Sequence, residues 1–439
     1  MSIALPSAAN RHQSLDILRG IALLGILLMN MPYFADYYVS AGNLLVNGEF
    51  SGPDYYSWWV VNGFFEGTMR AIFSVLFGAG SLLFLESLKG LKERGLTPAD
   101  LLYRRLIWLL VFGFINAYVF LWPGDILYTY AITGLFLYPF RVLPARKLFA
   151  FAALFLVFST LQFSTGMWKK GGIREEGIQA EERKSAGKPL NAIQQQQLTE
   201  WQEYQKQNNL ATIRQEAAEN RQKLSAGSYS ECFAEMVGVN KYIQTKDFYT
   251  ELFFDALAFF LLGMALYRSG YLQGSHPAAR YGLAALLSYA AGLPLSWLFN
   301  HTSIMTGFDA SRLAETFPVH PYQIRRLLLS MGHISLVLWL WKSFGAGLPG
   351  RLLASVGRMA FTGYLMQSLI CTWIFMGYGL GYYGKLHRWQ LYPVAFVIWA
   401  FLLIFSSVWL RFFQMGPFEW LWRCLTWWEW RPIRKQAVP

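Results

Sequence analysis

About ten long apolar runs, separated by short polar stretches, dominate the hydrophobic pattern of this chain of 439 residues. Each run is close to the roughly 20 residues that an α-helix needs to cross a bilayer. A soluble domain would not repeat runs of this length along most of its chain. The runs predict membrane-spanning helices at about 15–34, 58–86, 104–122, 125–142, 147–166, 250–268, 279–299, 325–342, 357–380 and 391–411.

This pattern predicts an all-α, polytopic membrane bundle with one long polar insertion. The N-terminal membrane half of about five helices is 1–166, the insertion is 167–248, the C-terminal half of about five helices is 249–412, and an interfacial tail is 413–439. The first apolar run lacks a small-residue cleavage site, so we expect it to be retained as a helix. A positive mean hydropathy of +0.28 agrees with the lipid bilayer as the main partner.

Lys and Arg are distributed among the loops as the positive-inside rule requires. Residues 35–57 contain no Lys or Arg, whereas residues 88–105 are strongly basic. The basic residues there are Lys89, Lys92, Arg94, Arg104 and Arg105. We therefore predict a multi-pass membrane protein with both termini in the cytoplasm. The net charge of +12 arises from such loops, and no basic stripe suited to nucleic acid is present.

The insertion, residues 167–248, has a helix-forming composition with few apolar positions. Two interpretations remain open. The sparse apolar pattern favours a solvated helical hairpin or a partly disordered loop, and the alternative is a cap over an external pocket. The tail interleaves five Trp with Arg residues, which indicates an interfacial helix at the cytoplasmic headgroups.

The first predicted helix carries three polar side chains, Asp16, Arg19 and Asn30. At 100° per residue, Arg19 and Asn30 have nearly the same direction and Asp16 lies close to it, so all three can face the protein interior. Asp16 and Arg19 are also three residues apart and can pair. The pair can anchor the helix at the headgroups, and Asn30 can serve as an interhelical hydrogen-bonding residue.

The second span places Asn62, Glu66 and Arg70 four residues apart, which predicts a polar stripe on one helix face. Glu66 and Arg70 can neutralise each other as a structural pair, or the stripe can line a cavity. Between the third and fourth spans, a Trp-Pro-Gly turn precedes Asp125. Asp125 can cap the fourth helix, and its expected position at the outer mouth, level with Asn30, also makes it a candidate acid or base.

His333 is the only histidine inside a predicted span. A lone histidine there is more often a helix–helix hydrogen-bonding residue than a catalyst. The sequence contains no Gly-rich nucleotide loop, no serine-hydrolase elbow and no metal-ligand spacing. Cys232, Cys371 and Cys424 are widely scattered, so a disulfide framework is not expected.

Six segments together resemble the YeiB-like family of bacterial inner-membrane proteins, also called domain of unknown function 418. In chain order they are SLDILRGIALLGILLMN, FSVLFGAG, WPGDILYTYA, LLGMALYRSG, GRMAFTGYLMQSLI and GPFEWLWRCLTW. The family is distantly similar to transmembrane acyltransferases such as heparan-alpha-glucosaminide N-acetyltransferase. Those relatives also open with an Asp-x-x-Arg-Gly helix that has an Asn near its outer end, and Asp16, Arg19 and Asn30 match these positions.

The resemblance implies an integral-membrane acyltransferase that uses cytoplasmic acyl-CoA, with acetyl-CoA the expected donor and no metal. The implied acceptor is an envelope glycan or a small molecule, and a homo-oligomer is compatible with the sequence. This chain departs from the pattern in two places. Residues 31–65 lack the histidine that the acetyltransferase relatives carry, and Asn116 stands where YeiB-like sequences often have a histidine.

For this chemistry we predict Asp125 as the base or acceptor-orienting residue and Asn30 as the donor to the acyl oxygen. Glu66 and His333 are the alternative bases. We expect Arg19, with Asp16 beside it and Arg70 in support, to bind the anionic donor, because a cation in a weakly screening cavity attracts anions strongly.

Two other classes of function remain open. Intramembrane charges such as Glu66, Arg70 and Asp125 are equally expected to line the path of a transporter or exporter. Transporters often contain inverted repeats with paired broken helices, and the two halves show no convincing sequence repeat. The third class is a structural or sensory membrane protein.

The predicted topology can be tested by cysteine labelling of intact spheroplasts from outside. A probe cysteine at Gln195 should be modified, whereas one at Lys92 should be protected. The reverse labelling pattern would invert the side assigned to every polar group.

Overall fold

The computed structural model describes residues 13–88 and 95–435, so the predicted loop residues Lys89, Lys92 and Arg94 lie outside the described residues. The described chain is helical, and no strand is present in it. The α-helices are α1 (Gln13–Ala35), α2 (Tyr38–Gly42), α3 (Leu44–Asn47), α4 (Gly52–Val60), α5 (Thr68–Ser87), α6 (Pro98–Phe114), α7 (Leu127–Gly134), α8 (Ala145–Ser185), α9 (Ala192–Gln207), α10 (Leu210–Ala226), α11 (Tyr229–Tyr242), α12 (Phe253–Arg268), α13 (Ala278–Met305), α14 (Leu313–Thr316), α15 (Tyr322–Phe344), α16 (Gly347–Arg358), α17 (Ala360–Phe375), α18 (Leu391–Phe412) and α19 (Pro417–Trp427). Three π-helical segments, Val61–Phe65, Ile115–Val119 and Ile243–Leu252, adjoin these helices, and Tyr138–Val142 and Arg388–Gln390 are 3-10 turns.

Eight helical stretches of the described chain are long and apolar enough to cross a membrane. They are Gln13–Ala35, Gly52–Ser87, Pro98–Val119, Ala145–Ser185, Tyr229–Arg268, Ala278–Met305, Tyr322–Phe344 and Arg388–Phe412. The spans predicted at 125–142 and 357–380 correspond to shorter helices, α7 and α17. The all-α, polytopic membrane bundle is therefore confirmed, with eight long helices and two shorter elements inside it.

Close helix crossings at glycines hold the centre of the bundle together. At the contact of α1 with α16, a Cβ added to Gly357 would lie 1.8 Å from the backbone oxygen of Asp16. At the contact of α5 with α12, a Cβ at Gly263 would lie 1.8 Å from the Val75 oxygen. Only glycine permits backbones to approach this closely, a packing mode that is typical of membrane helices.

The second span is broken at Glu66 and Gly67. The π segment ends at Phe65, Glu66 has an extended ψ of 125°, and Gly67 adopts a left-handed φ of 71° before α5 begins. Four-residue spacing therefore does not align Asn62, Glu66 and Arg70 on one continuous helix face, and the predicted stripe is wrong. A left-handed glycine ends a helix at little steric cost, and hydropathy alone gives no sign of it.

Side chains from other helices satisfy the carbonyl groups that the break exposes. Ser296 donates to the Gly63 oxygen at 2.9 Å and His333 to the Phe64 oxygen at 2.8 Å. Arg325 donates to the Asn62 oxygen at 3.1 Å and Arg326 to the Gly67 oxygen at 3.0 Å. Such partners are required because a non-helical backbone is tolerated at membrane depth only where protein or a cavity satisfies its polar groups.

The insertion is helical and packs against the end of the bundle opposite the start of α1, which we call the insertion end. Helices α8 and α11–α12 run through residues 167 and 248 without interruption. Tyr204 donates to Asp309 at 2.8 Å, and Arg214 donates to the backbone oxygens of Leu45 and Val46. The insertion therefore contacts loops of the bundle, and its role as a cap over an external pocket stays a prediction.

The tail helix α19 lies partly inside the bundle. Trp422 is buried, and its indole donates to the Arg105 oxygen at 2.8 Å while the Arg105 guanidinium stacks 3.6 Å from its ring centre. Trp428 and Trp430, by contrast, are 72% and 76% exposed. The interfacial position of this segment stays a prediction, and α19 also forms part of the wall of a cavity described below.

Arg221 joins the insertion to the first loop. Its Nε and Nη2 atoms donate to the two carboxylate oxygens of Asp36 at 2.6 and 2.7 Å, and Nη2 also donates to Asn47 Oδ1 at 2.6 Å. The hydrogen bonds to Asp36 raise the pKa of Arg221. This paired geometry is the strongest common form of ion pair.

Replacing Arg221 with Gln should loosen the insertion. Hydrogen bonds to charged groups contribute about 1.5–3 kcal/mol, so we expect the docked insertion to open roughly tenfold more often. The rate of thermolysin cleavage between α9 and α11 measures this opening. Arg174→Gln is the matched control, because its partner Glu315 has a side chain that is 57% exposed, and its cleavage rate should stay within about twofold of the original. Equal cleavage of Arg221→Gln and the unaltered protein would contradict docking through this pair.

Candidate functional site

A cavity of about 240 Å³ lies between α1, α5, α6, α7, α16, α17 and α19. We call it the main cavity. Arg19, Arg105 and Arg358 lie in its wall near the start of α1, and Tyr130 and Tyr364 lie in its wall further toward the insertion end. Apolar and aromatic side chains form most of the remaining wall, as is usual for small-molecule sites.

Positive charge predominates in the wall of the main cavity. Arg105 stacks on Trp422 and on Phe84, and no carboxylate of the described chain lies within ion-pair distance of it. Arg19 pairs with Asp16 at 3.1 Å and keeps a side chain that is 25% exposed. The one carboxylate in the wall, Glu419, accepts hydrogen bonds from the backbone of Phe361 and Thr362 at the start of α17.

A hydrogen-bonded group connects the wall of the main cavity to Asp125. The Tyr364 hydroxyl donates to Asp125 Oδ1 at 3.4 Å and accepts from the Ile126 N–H at 3.1 Å. Asn116 Nδ2 donates to the same carboxylate oxygen at 2.8 Å, and the Tyr128 N–H donates to Asp125 Oδ2 at 2.9 Å. Asp125 therefore caps α7, as predicted, and also contacts two side chains from other helices.

Asp125 is set back from the end of the helix that precedes it. The connection between α6 and α7 folds inward, and a Cβ added to Gly113 would be 3.0 Å from Asp125 Oδ2. Gly113 precedes the end of the Ile115–Val119 segment by six residues, or roughly 9 Å of helix. Asn30 precedes the end of α1 by five residues, and the position of both side chains at the outer mouth stays a prediction.

Asn116 is fully buried beside Asp125, and its Oδ1 atom has no hydrogen-bond partner in the described chain. It belongs to the π-helical segment Ile115–Val119, and such segments occur frequently at functional sites. Asn116, the position at which the resemblance led us to expect a histidine, is thus in direct contact with Asp125.

The three polar residues predicted on α1 have different surroundings. Asp16 and Arg19 do pair, as their spacing predicts. Asn30 lies near the insertion end of the helix and is partly buried. No hydrogen bond joins its side chain to another residue of the described chain, and it is not part of the wall of the main cavity.

A second polar site surrounds the helix break at Glu66 and Gly67. We call it the break cluster, and it consists of Glu66, Arg70, Asp255, Tyr322, Arg325 and Arg326. Arg325 and Tyr322 both bind Glu66, the latter at 3.1 Å. Arg326 pairs with Asp255 at 2.6 Å, whereas Arg70 is 3.6 Å from Asp255 and 3.4 Å from the Tyr322 hydroxyl.

The break cluster corrects the predicted pairing of Glu66 with Arg70. Each of these residues instead has partners on α12 or α15, because the break turns Glu66 away from the face of α5 that carries Arg70. Sequence reasoning missed Asp255, Arg325 and Arg326. The available signal was a charged residue inside an apolar run, at the beginning of the predicted 250–268 and 325–342 spans.

His333 uses both ring nitrogens in structural hydrogen bonds. Nε2 contacts the Phe64 oxygen at 2.8 Å, so it must carry the proton, and Nδ1 lies 2.6 Å from the Tyr289 hydroxyl, so it accepts. A ring engaged in this way joins two helices and has no nitrogen left to act as a base. His333 is absent from the wall of the main cavity as well.

Neither metal nor thiol chemistry has a prepared site in the described chain. No group of three or more His, Cys, Asp or Glu side chains able to hold a metal occurs among the described residues. Cys232, Cys371 and Cys424 are buried and unbridged. The chemically distinctive sites are thus the main cavity, with Tyr364 and Asp125, and the break cluster.

Comparisons with known proteins agree with the resemblance to the YeiB-like family. The family described as Protein of unknown function (DUF418) matches residues 266–429. The chain is 30% identical to Uncharacterized protein YxaH of Bacillus subtilis (strain 168) over 455 residues, covering 100% of both proteins. It is 28% identical to Uncharacterized protein YeiB of Escherichia coli (strain K12), covering 95% of this chain and 96% of the relative.

No solved structure matches the chain. The Bacillus subtilis relative covers this chain from end to end, and the family match extends across α13–α19. The shared length includes both the main cavity and the break cluster. The chain is therefore a member of the DUF418 family of YeiB-like membrane proteins.

Proposed function

We propose that this protein is an inner-membrane acyltransferase that moves an acyl group from cytoplasmic acyl-CoA to an acceptor at the insertion end. The single observation that carries the proposal is the connection of the main cavity, which has arginines near the start of α1, to Asp125 through the Tyr364 hydroxyl. An acyl transfer needs a site that binds the donor and a base for the acceptor. The arginines can bind the donor, and the Asp125 carboxylate at the far side of the cavity can serve as the base.

The arginines suit the phosphates of CoA. Arg105 and Arg358 lie in the cavity wall with Arg19, and Arg105 is oriented by stacking on Trp422. Arg105, which has no carboxylate of the described chain within ion-pair distance, is available for bidentate contact with phosphate oxygens. Basic residues at this end also agree with a cytoplasmic location, which is the side where acyl-CoA is found.

The Tyr364–Asp125 pair supplies a route for the proton. The acceptor hydroxyl or amine attacks the thioester carbonyl, its proton passes to Tyr364, and the Tyr364 proton passes to Asp125 Oδ1. The carbon–sulfur bond then breaks as the new ester or amide forms, and the proton returns by the same route to the CoA thiolate. Asn30 stays the sequence-based prediction for the donor to the acyl oxygen, but its side chain lies outside the wall of the main cavity, so the transfer would have to bring the acyl group beyond that wall to reach it.

A transporter remains the alternative, and one observation favours it. The span Gly52–Ser87 is discontinuous at a cluster of charged side chains, and broken helices form substrate sites in many transporters. The two proposals differ in their consequences, because a transporter needs neither CoA binding at Arg105 nor the transfer of an acyl group to an acceptor.

Removing cavity arginines should weaken CoA binding. We expect Arg105→Gln and Arg19→Ala each to reduce affinity for CoA roughly tenfold, because a charge-assisted hydrogen bond contributes more than 1.4 kcal/mol. Isothermal titration calorimetry on the purified protein measures the affinity. Arg351→Gln is the matched control, since Arg351 is exposed on α16 and lies outside the cavity wall. Unchanged CoA affinity in both variants would place the donor elsewhere.

Replacing Asp125 with Asn should abolish transfer without unfolding the site. The new amide oxygen can still accept from the Tyr128 N–H, and its NH₂ group can donate to the buried Asn116 Oδ1 after an amide rotation of Asn116. It cannot accept a proton, so we expect a rate loss of about 10²–10⁴-fold. Transfer of radiolabel from acetyl-CoA to envelope extract is the measurement.

Tyr364→Phe tests the proton route in the same assay. It should lower the transfer rate while leaving CoA affinity and the thermal midpoint near those of the unaltered protein. Full transfer by Asp125→Asn would leave Asp125 as a helix cap alone, and the base would then have to be Glu66, because His333 has no free nitrogen.

A further inference from the structure

The break cluster contains more positive than negative charge. Three guanidinium groups, those of Arg70, Arg325 and Arg326, face two carboxylates, those of Glu66 and Asp255. Arg325 and Arg326 are 1% and 0% exposed. Unpaired charge inside a membrane protein is expensive and usually serves a function.

Neighbouring charges do not remove this surplus. Glu251, on the Ile243–Leu252 segment, interacts electrostatically with Arg70, with Asp247 of the same segment and with Lys170 of α8, and Asp247 interacts with Lys246. These two carboxylates and two ammonium groups carry equal numbers of opposite charges and therefore cancel each other. The surplus of one positive charge remains on the cluster.

Three buried nitrogen atoms of the cluster have no hydrogen-bond partner in the described chain. They are Arg70 Nε, Arg325 Nε and Arg326 Nη2. Buried polar atoms are nearly always partnered in folded proteins, so a concentration of exceptions at one site requires an explanation. All three atoms are donors on cations, which makes an anion the complementary partner.

Two of the three arginines bind backbone oxygens that the helix break exposes, and the third, Arg70, does not. Arg325 and Arg326 donate to the backbone oxygens of Asn62 and Gly67. The contacts of Arg70 are longer than these hydrogen bonds, at 3.4 Å to the Tyr322 hydroxyl and 3.6 Å to Asp255 Oδ2. The second distance is too long for a hydrogen bond, so Arg70 is loosely held and is not required by the break.

Arg70 is also the most exposed arginine of the cluster. Its side chain is 26% exposed and that of Glu66 is 24% exposed. On its other side, the Tyr130 hydroxyl contacts Ser74 at 2.7 Å and the Arg70 oxygen at 3.3 Å. Because Tyr130 lines the main cavity, the break cluster and the main cavity lie on opposite sides of this contact.

We propose that the break cluster binds an oxyanion, a carboxylate or a phosphate, with Arg70 as the principal contact. The identification of this anion as a group on the acyl acceptor rests on the proposed function. The acceptor would then be an anionic molecule that enters from the insertion end, while the acyl donor occupies the main cavity.

Binding of small anions to the purified protein, without acyl-CoA, tests this site directly. Glucuronate, glucose 6-phosphate and neutral glucose are added at constant ionic strength to protein in phosphatidylcholine nanodiscs, and the thermal midpoint is followed. The two anions should raise the midpoint saturably and glucose should not, because stabilisation follows ligand occupancy of the folded state. Arg70→Gln should weaken the apparent anion affinity about tenfold or more.

Arg174→Gln is the matched control, because it removes one positive charge from α8 outside the cluster and should keep the original anion affinity. If Arg70→Gln does not fold, the comparison of glucuronate with glucose on the unaltered protein still decides the matter, and Arg70→Lys replaces it as the variant. Equal responses to glucuronate and glucose, or equal anion affinity in the Arg70 variant, would overturn the proposal.

A further set of nanodiscs separates the two sources of such an anion. If phosphatidylglycerol competes with the soluble anions in an Arg70-dependent manner, the bound group is a lipid headgroup; if it does not, the group belongs to a water-soluble molecule. The assay contains no donor, so failure of CoA to bind would refute the acyltransferase while leaving the anion site intact. Loss of anion binding with CoA binding retained would refute the anion site while leaving the acyltransferase proposal intact.

Discussion

The requirement that every backbone and charged group inside a bilayer find a partner within the protein governs this structure. The break at Glu66 and Gly67 exposes carbonyl groups at membrane depth, and α13 and α15 supply Ser296, His333 and two arginines to bind them. Those arginines in turn need carboxylates, which α12 provides through Asp255 and the break itself through Glu66. One interrupted helix thus fixes the polar content of three neighbouring helices.

Helix α5 connects the two sites that this arrangement creates. Arg70 belongs to the break cluster, whereas Phe73, Phe77 and Gly80, one to three turns further along the same helix, line the main cavity. The contact of Ser74 with Tyr130 separates the two sites. A donor and an acceptor that approach from opposite ends would therefore meet near Tyr130 and Tyr364, close to Asp125. The insertion, held to the first loop by Arg221, covers the end from which the acceptor would enter.

For much of the candidate site, the sequence indicates only which types of residue are present and not which residues contact one another. The spacing of Asp16 and Arg19 is local to one helix, and the structure has the pair that the spacing predicts. The pairing of Glu66 with Arg70 also followed from local spacing, but it failed because a left-handed Gly67 interrupts the helix. The partners Asp255, Arg325 and Tyr364 come from residues far away in the chain, and a single sequence contains no information about such contacts. His333 is a candidate base in the sequence because its two hydrogen-bond partners appear only in the structure.

The sequence by itself determined that the chain is an all-α membrane protein, since long apolar runs can bury their backbone polar groups in lipid only as helices. It also determined which charged side chains require partners, because the cost of an unpaired charge depends on the residue and its apolar surroundings. Only the tertiary structure decided who those partners are. The tertiary structure also decided that the turn after α6 folds inward and brings Asp125 to Asn116 and Tyr364. Such contacts depend on how helices pack around a glycine such as Gly113. They do not depend on the order of residues along one segment.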